Sequence, residues 1–306
     1  MTATIHQLAP ERRLRRMELL VTRRLDGLLQ GQYLGLLPGP GSEFAGSREY
    51  RPGEDEVRWM DWAVTARTNT PHVREVDADR ELTTWVLVDG SASMDFGTAE
   101  VEKRELAVAA VAAVGFLTAG FGNKLGAHLV GGGRRVFPAR TGRNHLRAVL
   151  RALLDAPRVP AGDTAPLASA IAGVARAANR RGLVVVVSDF LDDSGWPAEL
   201  RRLAARHQVL AVEVADPREL ELPDVGLITL VDTETGRRRE VSTANLRLRA
   251  DYSAAAAAER AAVRTAIRTA RATHLPLRTD RDWVADIVRH VLTQRRLATA
   301  RRGGAA

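Results

Sequence analysis

The hydrophobic pattern changes character near residue 82. From there, short apolar runs alternate with longer amphipathic stretches. Leu82 to Val88 (LTTWVLV) reads as a strand, and a long helix is expected over about 100–121, stopped by Gly120 and Gly122. Leu125–Val130 is the next strand, and the glycines at 131–133 turn the chain into Arg134–Phe137 as a hairpin. Thr141 is positioned to cap a helix over about 142–155, and a second helix is expected over about 165–180 with Gly182 beyond its end. Leu183 to Val187 is unbroken apolar sequence of β-branched character, the signature of a strand covered on both faces in a parallel sheet. A helix at about 197–206, strands at Val209–Val214 and Leu227–Val231, a return at 236–241, a helix over about 244–272, a strand at Leu275–Arg278 and a helix from about 280 complete the series. This alternation predicts an α/β fold with a doubly wound, mostly parallel sheet flanked by helices.

The N-terminal part is different. Residues 9–32 carry Leu14, Leu19, Leu20, Val21, Leu25 and Leu28 near helical spacing with arginines opposite. Pro-Gly pairs at 38–39, 40–41 and 52–53 then forbid a long helix, and strand-like runs follow at 57–64 and 71–76. The expected organisation is a helix plus small loop-rich or β region over 1–80, an α/β domain over 81–296, and a disordered tail over 297–306. Arg48, Tyr50, Arg51, Asp61, Trp62 and Arg67 crowd the small region. They are read as packing the small region against the main domain through buried Arg–Asp pairs and Trp62, with a partner-facing surface or a lid on the metal site as the alternative.

Composition removes several classes. The 306 residues include no cysteine, so disulfides, thiolate metal sites and cysteine nucleophiles are excluded. Leu106–Asn123 has no charged residue but is built of alanine, valine and glycine, which suits a buried central helix better than a membrane span. Met1–Arg16 lacks the apolar core of a secretory signal, so a cytoplasmic protein is expected. The net charge of +8 comes from dispersed arginines, and aromatic residues make up only 5%, so nucleic acid is not the expected partner. Histidines 6, 72, 128, 145, 207, 274 and 290 show no zinc-site spacing, and neither a phosphate-binding glycine loop nor a nucleophile elbow is present. No catalytic base is visible, and an enzyme is not expected.

The candidate chemistry lies in VLVDGSASMD. A strand ends at Asp89, and Ser91 and Ser93 follow at alternate positions. In open α/β sheets ligands bind beyond the carboxyl ends of the strands. Such oxygens are hard ligands suited to Mg²⁺, Mn²⁺ or Ca²⁺. Alone the motif is a common turn. Two further oxygen-bearing loops add to it: Thr164, just ahead of a helix in GDTAPL, and Asp189, ending the strand in VVVVSDF.

Asp89-x-Ser91-x-Ser93, then Thr164 in a Gly-x-Thr-x-x-Leu setting, then Asp189, resembles the metal-ion-dependent adhesion site of von Willebrand factor A domains. With its upstream segment Gly41–Phe44, Arg48–Asp55, Asp61-Trp62 and Ala66-Arg67, the chain is similar over about residues 30–295 to the bacterial domain-of-unknown-function family 58. It departs from integrin-like members in carrying Phe190, not glycine, after Asp189. The resemblance implies Mg²⁺ (or Mn²⁺) ligated by Ser91 and Ser93, by Thr164 directly or through water, and by Asp89 and Asp189 mainly through water. It also implies a partner carboxylate completing the shell. The implied partner is a MoxR-type AAA+ ATPase, or a client protein donating an Asp or Glu, in chaperone-like maturation or cofactor insertion. The alternatives are a metal-dependent hydrolase using the same cluster and an arginine-driven nucleic-acid binder.

Overall fold

The structure, a computed structural model, describes residues 46–51, 57, 60–75, 83–99, 101–118, 123–131, 133–160, 165–231 and 237–303. The expected N-terminal helix at 9–32 lies outside them. The chain divides into two compact units, one over Pro38–Glu81 and one holding Leu82–Ala306.

In the small unit, β1 (Gly46–Glu49) pairs antiparallel with β2 (His72–Glu75), and α1 (Trp62–Thr68) lies between them in sequence. The strand expected at 57–64 is therefore replaced in part by a helix. Asp61 accounts for this, because its Oδ1 accepts the backbone N–H groups of Ala63 and Val64, capping the helix. Its Oδ2 accepts the Ser47 hydroxyl at 2.9 Å, so this buried carboxylate ties β1 to α1. Trp62 is 66% exposed, so it is not buried within this unit. The side chain of Arg48 lies outside the described residues.

The large unit contains β3 (Thr83–Asp89), α2 (Lys103–Thr118), β4 (Lys124–Val130), β5 (Arg135–Arg140), α3 (Arg143–Leu154), α4 (Leu167–Ala177), β6 (Leu183–Ser188), α5 (Trp196–Arg206), β7 (Gln208–Ala215), the short α6 (Pro217–Leu220), β8 (Leu227–Val231), β9 (Arg238–Ser242), α7 (Leu246–Thr269), β10 (Thr273–Arg278) and α8 (Trp283–Gly303). Six strands form one sheet in the order β10-β7-β6-β3-β4-β5, parallel except for the β4–β5 hairpin. This is the expected doubly wound α/β class. β8 and β9 make a separate antiparallel hairpin.

Strand periodicity divides the core. Val86, Val88, Val185, Val187, Leu210 and Val212 face α2, α3 and α8, while Trp85, Leu87, Val184, Val186, Val209 and Ala211 face α4, α5 and α7. α2 is covered almost all round, with Leu106 to Val114 no more than 3% exposed. From Leu106 onward it carries no charge, the composition of a central core helix, and among the described residues no helix is long and apolar enough to cross a membrane.

Three local details differ from the sequence reading. Gly142, at φ 98°, and not Thr141, occupies the N-cap of α3, with no side-chain cap bond. α4 ends at a cap on Ala178, and Gly182 instead lies against β3, where an added Cβ would meet the Thr83 carbonyl at 2.3 Å. α8 runs to Gly303, through most of the segment expected to be a tail, because the alanines, leucine and arginines there are good helix formers. Both edge strands of the large sheet contain a proline, Pro138 in β5 beside a register shift and Pro276 in β10.

Candidate metal centre

β3 is followed in the chain by β4 on one side, while β6 lies on its other side, so the strand order reverses at β3. A crevice opens at such a reversal beyond the carboxyl ends of the strands. Asp89 ends β3, and Asp189 directly follows β6. The parallel register pairs Val88 with Val187, which sets Asp89 beside Ser188. Asp89 Oδ2 accepts the Ser188 hydroxyl at 2.6 Å, and Oδ1 accepts the Ser91 N–H at 2.9 Å.

The loop after β3 is shaped by close backbone contact. The Gly90 N–H donates to the Val130 carbonyl, and a Cβ on Gly90 would lie 2.7 Å from that oxygen. Ser91 then precedes a short 3₁₀ turn, Ala92–Asp95, which brings Ser93 back toward Ser91. Their hydroxyls are 3.0 Å apart, and Ser93 lies close enough to the Asp189 carboxylate to help lower its proton affinity. Asp89, Ser91, Ser93 and Asp189 therefore form one cluster. Thr164 lies outside the described residues.

The two carboxylates sit in different fields. Burial, reinforced by the negative charge of Asp189, pushes the Asp89 carboxyl up to about 6, against the hydrogen bonds from Ser188 and Ser91. Burial acts in the same sense on Asp189, but the Lys103 ammonium 2.8 Å away outweighs it and holds that carboxyl below its ordinary value. Two carboxylates close enough for Asp189 to raise the proton affinity of Asp89, with two hydroxyls beside them, make a donor set that fits a hard divalent cation. Among the described residues no group of three or more His, Asp or Glu side chains is arranged for a metal.

Ser188, Lys103, Glu219 and Arg260 are not among the residues expected from the sequence. Lys103 Nζ also contacts Glu219, and Arg260 donates to Glu213 Oε1 at 3.2 Å, Glu219 Oε2 at 3.0 Å and the Asp189 carbonyl at 2.9 Å. Nearby, buried Asp216 accepts the Thr98 N–H and hydroxyl and the Thr279 hydroxyl, joining the loops after β3, β7 and β10. Ser188 was visible beside Asp189.

Phe190 occupies a left-handed backbone conformation (φ 58°), which favours glycine. Its ring is 2% exposed and packs against Trp196 with centroids 4.9 Å apart. The departure from glycine at this position is thus held by aromatic packing, and the rim keeps a glycine-like turn.

Fold and cluster together define a doubly wound α/β domain with an oxygen-rich site at its topological switch point. The chain belongs to the family described as "Protein of unknown function DUF58", matched over residues 46–262. It is 56% identical over 288 residues to the uncharacterized protein Rv1480 of Mycobacterium tuberculosis, covering 94% of this chain and 90% of that one. Among solved structures, the conserved hypothetical protein BatB of Bacteroides thetaiotaomicron is 14% identical, with a TM-score of 0.41 over 70% of this chain and 99% of that one. A von Willebrand factor type A structure from Catenulispora acidiphila is 17% identical, with a TM-score of 0.34 over 47% of this chain and 35% of that one.

Proposed function

We propose that this chain is a metal-dependent protein-interaction module that binds Mg²⁺ or Mn²⁺ at its sheet edge and takes a partner carboxylate as a further ligand. The supporting observation is the meeting of Asp89, Ser91, Ser93 and Asp189 at the strand-order reversal, with two hydroxyls 3.0 Å apart. Ser91 and Ser93 would hold the ion directly, and Asp89 and Asp189 would supply negative charge around it. Neutral hydroxyl ligands leave a divalent ion electrophilic, which suits capture of an Asp or Glu side chain.

By the family resemblance, the partner is a MoxR-type AAA+ ATPase, and the pair acts in chaperone-like maturation or cofactor insertion. The test is a pull-down from the native cell with Mg²⁺ or with chelator, repeated with Asp89→Asn. Recovery of a AAA+ ATPase with metal, and its loss with chelator and in the variant, supports the reading. Recovery indifferent to both would detach the cluster from binding.

A further inference from the structure

Lys103 opens α2 with its side chain fully buried. The first turn of a helix disfavours a cation, and an ammonium withdrawn from water needs counter-charges. Lys103 has two. Its Nζ lies 2.8 Å from Asp189 Oδ2 and also contacts Glu219. The other oxygen of Asp189, Oδ1, accepts the Leu191 N–H at 3.3 Å. Glu219 is shared with Arg260, which also holds Glu213 and the Asp189 carbonyl. Asp189 is thus held through Oδ2 by Lys103, through Oδ1 by the Leu191 N–H and through its carbonyl by Arg260.

We infer that Lys103 is a resident cation of the candidate metal centre, fastening Asp189 in the metal-free protein and opposing a divalent ion there so that the ion is held weakly. The inference rests on the metal reading above. Two cations near one carboxylate repel in a poorly screened interior, so the ammonium lowers the affinity that Asp89 and Asp189 would otherwise give. Glu219 moderates this by drawing on the same ammonium. Lys103 is a positioning residue that touches the ion only through Asp189, and its charge sets exchangeability.

The experiment is titration of the full chain with Mn²⁺ alone, followed by calorimetry and by the paramagnetic relaxation of water. Wild type, Asp89→Asn, Lys103→Met, Lys103→Arg and Glu219→Gln are compared, each checked for folding by circular dichroism. Expected are measurable binding by wild type, its loss in D89N, tightening of at least about tenfold in K103M, and no tightening in K103R. E219Q keeps Lys103 but removes its second counter-charge and is expected to weaken binding at least about threefold. It decides the matter should K103M not fold. K103M binding unchanged or weaker than wild type, or E219Q unchanged or tighter, would overturn the role of Lys103. Absence of wild-type binding, or equal binding by D89N, would instead overturn the metal reading itself.

Discussion

Asp89 and Ser188 stand side by side at the carboxyl ends of adjacent parallel strands, joined by a 2.6 Å hydrogen bond from the Ser188 hydroxyl to Asp89 Oδ2. The bond crosses from β3 to β6 and fixes one carboxylate oxygen before any ligand arrives. Ser188→Ala leaves a buried charged acceptor without its donor, a loss of about 1.5–3 kcal/mol. Urea unfolding at pH 7 should show that drop. A midpoint within error of wild type would mean that the bond adds nothing to the fold.

Gly90 is expected to resist even a methyl group. Its Cβ would lie 2.7 Å from the Val130 carbonyl, a backbone atom at the carboxyl end of β4. Gly90→Ala should cost about 1–3 kcal/mol, the usual range for overpacking. It should also displace the loop carrying Ser91 and Ser93. Urea titration gives the first quantity, and Mn²⁺ affinity reports the second. Preservation of both would show that the crossing is looser than its geometry implies.

Phe190 allows a test by reversed rank. Phe190→Ala loses the buried ring and keeps the left-handed strain, while Phe190→Gly loses the ring and relieves the strain. Glycine elsewhere is the worse residue by roughly 0.5–1 kcal/mol. At this position it should be better than alanine by about 1 kcal/mol. Alanine equal to or better than glycine in thermal unfolding would argue against a strained turn.

His128 predicts an acid-sensitive fold. It is 1% exposed, its Nε2 has no hydrogen-bond partner, and its ring meets Trp85 edge-on. Burial, with the nearby charges of Arg134 and Arg176, pushes its pKa down to about 4. The unfolded chain therefore binds a proton below its ordinary value of about 6.5 that the folded chain refuses. Stability is full above about 6.5 and falls as pH drops toward 4, by up to about 3 kcal/mol, with no further loss from this group below that. His290, also lowered to about 4 chiefly by burial, adds to the same window. His128→Leu should flatten part of the pH dependence of the urea midpoint, and an unchanged slope would assign it to other groups.

The sheet was legible because its strands are written as contiguous apolar sequence. LVVVV can only be covered on both faces, and the carboxylates following such strands fall at one edge whatever the helices do. Asp89, Ser91, Ser93 and Asp189 were therefore findable. Lys103 was not, because its partners Asp189 and Glu219 lie 86 and 116 residues away and nothing local marks the pairing. The α1 helix was not legible because valine and tryptophan in 57–64 favour strands, while Asp61 is a capping residue whose effect depends on two N–H groups downstream. Thr141 lost its cap position to a glycine able to adopt φ 98°.

The prolines in β5 and β10 bear on what the sheet does outside its own chain. Each border of the six-stranded ladder lacks one N–H donor, and along β5 the pairing is further disturbed beside Pro138, with Arg135 and Arg140 exposed. A strand from another molecule would meet an interrupted hydrogen-bonding template on either flank. Growth of this six-stranded sheet by lateral strand addition is discouraged on both sides.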